Sequence, residues 1–253
     1  MSARIAVPVF PGTNSEDETV RLLRDCGGDA ELVHWSRAET LGQYDAYVLS
    51  GGFAYEDRIR AGAVAAHDRA MDAVIEAAQR GKLVFGICNG AQILLEAGLV
   101  PGTGPIRRPT AAFTINGPAP HFVCRHVYMK LAMEPSRCAI TASLPDDVLV
   151  PAWAAHAEGR LAATPGHLHE IVSGNHLAFV YADARGATTQ AAIPNDSALG
   201  CAGLVNRRGN VLAIMPHPER DGWNFNHLDR RHGDVLAPSG GAVLFRSFVE
   251  ALA

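Results

Sequence analysis

The chain has 253 residues, 48% hydrophobic and 19% charged, enough apolar mass to bury a substantial core in one large domain or two small ones. A formal net charge of −4 excludes the global positive field of a nucleic-acid binder, and the pairs Arg107-Arg108, Arg207-Arg208 and Arg230-Arg231 are scattered, as solvated surface pairs are. Five cysteines, at positions 26, 88, 124, 138 and 201, form neither a complete disulfide framework nor a CxxC zinc pattern, so a reducing, cytoplasmic setting is expected. No run approaches membrane-spanning length, and the short apolar start lacks the h-region and cleavage site of a signal peptide.

In chain order, residues 5–10 read as a buried strand ending at Pro11-Gly12. Ser15 and Glu18 have capping-box spacing, so a helix is expected to run to about Cys26, where Gly27-Gly28 stops it. Strands follow at 31–35 and 44–49, the second leading into Gly51-Gly52. A helix is expected over 62–80, where Met71, Val74, Ile75 and Ala78 share a face. Gly81 ends it, and the apolar run Leu83-Val84-Phe85 leads into Gly86-Ile87-Cys88-Asn89-Gly90. Residues 101–120, rich in Pro and Gly, read as a long surface loop. Later strands are expected at 124–131, 176–181 and 203–215, partly antiparallel, with Asn206 to Asn210 turning the last hairpin, and a closing helix over 239–252. Strands alternating with helices imply an α/β fold: a mostly parallel central sheet flanked by helices, some antiparallel strands in the C-terminal half, and ligands at the carboxyl ends of strands. With Cys88 and His217 sharing one site, the chain reads as a single domain over 1–253.

Cys88 carries the most chemical information. A strand running directly into a helix holds its turn residue in a strained conformation only where the flanking residues are small, which Gly86 and Gly90 supply. The thiol then sits at a helix N-terminus, whose free N–H groups favour a thiolate. Taken alone, Cys88 reads equally well as a small buried residue. Far downstream, Pro216 and Pro218 lock His217 at the end of an apolar strand, with Glu219 placed to accept the second imidazole N–H. A cysteine, a remote histidine and an acid make up a thiol-nucleophile constellation, against which stands a rigid loop whose histidine merely ends a strand. His167-Leu168-His169 would place two imidazoles on one side of a strand, but no third ligand with diagnostic spacing accompanies them, and no metal is assigned. His156 and Glu158 read either as a pocket-wall pair or as ordinary core hydrogen bonding, and Tyr55, Asp57 and Arg60 either as a structural ion-pair segment or as a partner-facing loop.

These residues resemble the class I (triad) glutamine amidotransferases, whose Gly-x-Cys-x-Gly-x-Gln and His-Pro-Glu signatures correspond to Gly86, Cys88, Gly90, Gln92 and His217-Pro218-Glu219. Phe10-Pro11-Gly12-Thr13-Asn14, Gly51-Gly52-Phe53-Ala54-Tyr55, Asp57, Arg60, Gly62 and Met215 to Arg220 narrow the resemblance to the glutaminase subunits of phosphoribosylformylglycinamidine synthase. The resemblance implies a flavodoxin-like architecture and a Cys88-His217-Glu219 triad. It further implies an oxyanion hole from the backbone N–H groups of Gly52 and Asn89, and Gln92, His156 and Glu158 at the L-glutamine pocket. It also implies that ammonia passes to a synthetase subunit, with or without a small accessory subunit, for purine biosynthesis. This chain has no cofactor motif, and ATP and Mg are expected on the partner. The chain departs from the family at Ala54, where Ser is commoner, at Ala157, where Gly is, and at Asp196, in place of the Gly of a Pro-Asn-Gly-Ser stretch. Alternatives are a class I glutaminase serving another synthetase, and a non-catalytic or redox cysteine protein of the same fold.

Overall fold

The computed structural model describes residues 3–227 and 234–253, so the Arg230-Arg231 pair lies outside the described residues. The first half of the chain contains β1 (Arg4–Val9), α1 (Glu16–Asp25), β2 (Asp29–His34), β3 (Ala46–Leu49), α2 (Arg69–Gln79), β4 (Leu83–Ile87) and α3 (Asn89–Glu96). The second half contains β5 (Ala111–Ile115), β6 (Val123–Leu131), β7 (Leu149–His156), β8 (Glu158–Ala163), α4 (Pro165–Ser173), β9 (Leu177–Ala182), β10 (Cys201–Val205), β11 (Val211–Ile214) and α5 (Ala242–Glu250).

A nine-stranded sheet runs in the order β2-β1-β3-β4-β11-β10-β9-β6-β7. From β2 to β11 every neighbouring pair is parallel, and from β11 onward every pair is antiparallel. The parallel strands are apolar along almost their whole length: β3, β4 and β11 are buried at every residue, as strands covered on both faces must be. Phe85 of β4 meets Phe245 and Phe248 of α5 at ring-centroid distances of 5.8 and 6.1 Å. Fully burying such side chains stabilises by roughly 1.5–3 kcal/mol each. The buried core is continuous from Ile5 to Phe248. A second, two-stranded sheet pairs β5 with β8.

Several local expectations change. Helix α2 begins at Arg69 rather than 62, because Asp68 caps it, Oδ1 accepting the Ala70 N–H at 2.7 Å, and Ala65–His67 forms a separate 3-10 turn. Ser15 makes no side-chain cap on α1; its Oγ accepts the Gly51 N–H at 2.7 Å instead. The Pro/Gly-rich stretch 101–120 is not all loop, since β5 forms within it against β8. His167 and His169 lie on helix α4, where residues two apart diverge, rather than on one side of a strand. The hairpin between β10 and β11 turns as expected: Asn206 Oδ1 accepts from Gly209, Asn210 and Val211 N–H at 2.9, 3.0 and 3.1 Å.

Candidate active site

The carboxyl ends of β1, β3, β4 and β11 converge at the centre of the sheet, and each delivers one part of the site. Cys88 joins β4 to α3 with φ +51° and ψ −109°, a sparsely populated conformation costing on the order of 1–3 kcal/mol. Its N–H is held by Ile214 O at 2.8 Å, and its carbonyl already accepts Gln92 N–H at 3.1 Å. The two flanking glycines are sterically required. A Cβ on Gly90 would lie 2.0 Å from Leu49 O, and one on Gly86 would lie 2.5 Å from Leu94 Cδ1.

β11 runs through Met215 and Pro216 to His217, whose backbone is clamped to β7 by a two-way bridge with Trp153, at 2.8 and 3.1 Å. His217 Nδ1 donates to Glu219 Oε1 at 2.5 Å, and both side chains are buried. The Cys88 sulfur is close enough to act electrostatically on the imidazole, while the thiol itself lies 3.9 Å from Ala155 O. Gly51 fits between them: a Cβ there would sit 2.5 Å from His217 Cε1 and 3.3 Å from Cys88 Cβ. Burial by itself would lower the His217 pKa, but the Glu219 charge and then the Cys88 sulfur outweigh it, and the imidazolium is favoured well beyond the ordinary histidine range. The structure therefore brings Cys88, His217 and Glu219 into one buried line.

Gly52, at φ +149°, presses against the 12–14 segment so closely that a Cβ would meet Gly12 O at 2.6 Å. The N–H groups of Gly52 and Asn89 take no part in the backbone hydrogen bonds of the described residues, as groups reserved for an incoming oxyanion would be. The Asn89 side chain ties the Gly52 segment to α3: Oδ1 accepts Ala54 N–H at 3.0 Å, and Nδ2 donates to Asp57 Oδ1 at 3.1 Å and to Gln92 Oε1 at 2.9 Å.

Cys88, His217, Gln92, His156, Glu158 and Gly52 all line one cavity of about 140 Å³. The side-chain amide of Gln92 is already engaged, donating to Glu158 O at 2.5 Å and accepting from Asn89, so it braces the wall of the cavity. His156 Nδ1 donates to Asn116 Oδ1 at 3.2 Å, while its buried Nε2 has no partner. Burial, with His217 and His121 nearby, pushes the His156 pKa down to about 3, so a neutral ring presents a lone pair. Its ring also explains Gly159, where a Cβ would lie 2.2 Å from His156 Cε1. Asp57 lines the same cavity, and burial followed by the Glu158 charge raises its carboxyl to about 6. Composition and spacing did not single out Asp57 as a cavity residue, because the turn that aims it consists of residues at positive φ (Tyr55, Glu56 and Asp57). Arg60 turns away to Glu96, with two contacts of 2.5 Å, and Tyr55 donates to Asp68.

A larger cavity of about 530 Å³ adjoins this one and shares Ala155 and Arg220 with it. Its one thiol, Cys124, has no histidine among the lining residues, whereas the smaller cavity holds Cys88 together with His217.

Residues 2–250 match the family described as CobB/CobQ-like glutamine amidotransferase domain. The chain is 38% identical over 247 residues to phosphoribosylformylglycinamidine synthase subunit PurQ of Pyrococcus furiosus, covering 98% of this chain and 97% of the relative. The chain belongs to the PurQ family of class I glutamine amidotransferases. PurQ of Symbiobacterium thermophilum is 39% identical over 249 residues, covering 98% and 97% of the two chains. Among solved structures, a chain from "Structure of PurLQS from Thermotoga maritima" matches with a TM-score of 0.77 and 28% identity, covering all of both chains. The glutaminase domain of Trypanosoma brucei CTPS, 14% identical with a TM-score of 0.57 over 99% of this chain and 94% of its own, shares the fold.

Two departures from the family pattern have structural outcomes. Ala157 is not among the residues with positive φ, so its Cβ meets no backbone penalty, whereas Asp196 stands at φ +58°, a position better suited to glycine.

Proposed function

We propose that this chain is the glutaminase subunit of phosphoribosylformylglycinamidine synthase, hydrolysing L-glutamine and supplying ammonia to an ATP-dependent synthetase in purine biosynthesis. The observation that carries the reading is the buried Cys88-His217-Glu219 line opening on a cavity beside the unpartnered N–H groups of Gly52 and Asn89. The Cys88 thiolate attacks the side-chain carboxamide carbon, and the carbonyl electron pair moves onto oxygen, where the two N–H groups hold it. One such donor lowers the barrier by about 2.7–4 kcal/mol. As the tetrahedral species collapses, the C–N bond breaks and the His217 imidazolium gives its proton to the departing nitrogen, leaving a glutamyl thioester and free ammonia. Neutral His217 then takes a proton from water, hydroxide adds to the thioester carbon, and glutamate leaves with the thiolate restored. Glu219 holds the ring in the tautomer both steps need and stabilises its charged form. ATP and Mg belong, in this reading, to the synthetase partner, and the chain works in the cytoplasm. No helix of the described residues is long and apolar enough to cross a membrane.

The test is mass spectrometry of the chain treated with an electrophilic glutamine analogue, alone and with the synthetase, with Cys88→Ala as the control. Selective modification of Cys88, faster with the synthetase present, is expected. Equal labelling of all five cysteines, or none at Cys88, would overturn the reading.

A further inference from the structure

One layer behind the triad, three side chains from three separate segments converge. His126 projects from β6, Asp221 closes the 3-10 turn Pro218–Asp221, and His227 lies just beyond a second 3-10 turn, Asn224–Asn226. His126 Nε2 is 2.8 Å from Asp221 Oδ2, and His227 Nδ1 is 2.8 and 3.0 Å from the two carboxylate oxygens. One ligand atom from each residue lies within 4.8 Å of the others. Asp221 is fully buried, His126 nearly so, and the His227 side chain keeps 21% of its surface, which leaves one side open to solvent.

We propose that His126, Asp221 and His227 form a binding site for a divalent transition-metal ion, zinc by donor type. Two imidazoles and one carboxylate are the ligands of open zinc sites, with solvent in the fourth position. A single carboxylate is too few for calcium, and nitrogen donors do not favour magnesium. Tetrahedral zinc with bonds of about 2.0–2.1 Å separates its ligand atoms by roughly 3.3 Å. The observed separations around Asp221 need to open by only a few tenths of an ångström to reach this. The nitrogens that face Asp221 are hydrogen-bond donors when the ring protons are present, and the same lone pairs take the metal when those protons leave. Ser239 Oγ donates to Asp221 Oδ1 at 2.9 Å, the outer hydrogen bond that orients a ligating carboxylate. The His126 ring stands edge-on to Tyr128 and Trp153 at 5.0 and 5.5 Å, so its orientation is set by packing before any ion arrives.

The site goes beyond the glutaminase reading and does not depend on it, but it bears on the same turn. Asp221 follows Glu219 by two residues within Pro218–Asp221, and Trp153, against which His126 packs, is the residue that clamps the His217 backbone. An ion at Asp221 would pin the turn that carries the triad carboxylate.

The experiment uses the full chain without an affinity tag, stripped with a chelator and titrated with cobalt(II) as a spectroscopic stand-in, then back-titrated with zinc. One equivalent of cobalt with the intense d–d absorption of a four-coordinate site, displaced by zinc, is expected. Zinc at about 100-fold over its Kd should raise Tm by about 5–10 °C. His227→Ala, at the solvent-facing edge of the cluster, should weaken cobalt binding at least about 100-fold while its metal-free Tm stays near that of the parent. His126→Gln gives the same loss from the buried side, read only if its circular dichroism matches the parent. Absence of four-coordinate absorption with cobalt in excess, or cobalt bound equally tightly by His227→Ala, would sink the site and leave Asp221 as a hydrogen-bonded structural carboxylate.

Discussion

Asp57 and Glu158 place two carboxylates on the wall of the cavity that holds Cys88 and His217. Glutamine carries its reactive carboxamide at one end and an α-ammonium at the other, so a wall of negative charge away from the thiol suits the second end. Asp57 is the more telling of the two, because burial and the neighbouring Glu158 raise it to about 6, within reach of ordinary assay conditions. A carboxyl so raised is charged above that value and neutral below it. The KM for glutamine is therefore expected to rise as pH falls through about 6, with kcat changing less over the same range. Asp57→Asn should raise KM by about 10- to 100-fold, the worth of a hydrogen bond to a charged group, and should flatten that limb of the KM profile. Steady-state kinetics of the complex from pH 5 to 8 decide the matter, and an unchanged KM in the variant would remove Asp57 from substrate binding.

At the scale of elements, Ser15 shows how one residue joins two of them. Its spacing to Glu18 matches a helix cap, yet its buried Oγ accepts the Gly51 N–H, tying the start of α1 to the turn after β3. That turn also positions the Gly52 N–H. Ser15→Ala should cost about 1–3 kcal/mol of stability, measured by urea denaturation, by leaving a buried N–H unsatisfied. It should also lower kcat about tenfold, as the oxyanion donor loses its support, with KM nearly unchanged; a loss of stability with full kcat would make Ser15 structural only. The same residue shows what was legible. The strands β1, β3, β4 and β11 and the Cys88 elbow could be read because apolar runs ending in Gly or Pro specify them locally, whereas their order in the sheet could not. The cap could not be told from the tether, because both need the same hydroxyl and only the fold brings Gly51 within reach. β7 and β8 escaped because their alanine-rich stretch, Pro151 to Ala163, has little β-propensity, and pairing with β6 and β5 overrides it. The His126-Asp221-His227 cluster left no local pattern at all, since β6 and the turn after β11 meet only through the sheet.

Across the whole molecule, exposed apolar side chains gather at the mouth of the glutamine cavity, where Phe53 and Phe122 line it, and on the strained turn that follows Asp57, which carries Ile59. Phe53 is 48% exposed, Phe122 is 54% exposed, and Ile59 is 87% exposed at φ +74°. A β-branched residue at positive φ is a marked outlier, and an isolated chain gains nothing by holding one out to solvent. The arrangement makes sense if the segment from Phe53 to Arg60 meets the synthetase, so that docking, rather than folding, sets the final position of Gly52. Free ammonia is wasted unless it is handed over, which favours a site whose last adjustment awaits the partner. The isolated chain is therefore expected to hydrolyse glutamine slowly, and the synthetase to raise kcat by at least about tenfold. Ile59→Asp should leave the slow basal rate intact, since Ile59 neither belongs to the triad nor lines the cavity, and should abolish the stimulation by placing a charge where an apolar contact is needed. Glutamate release measured for both forms across a synthetase titration separates the cases. Full turnover by the isolated chain, or normal stimulation of Ile59→Asp, would show that the strained turn serves some end other than coupling the two subunits.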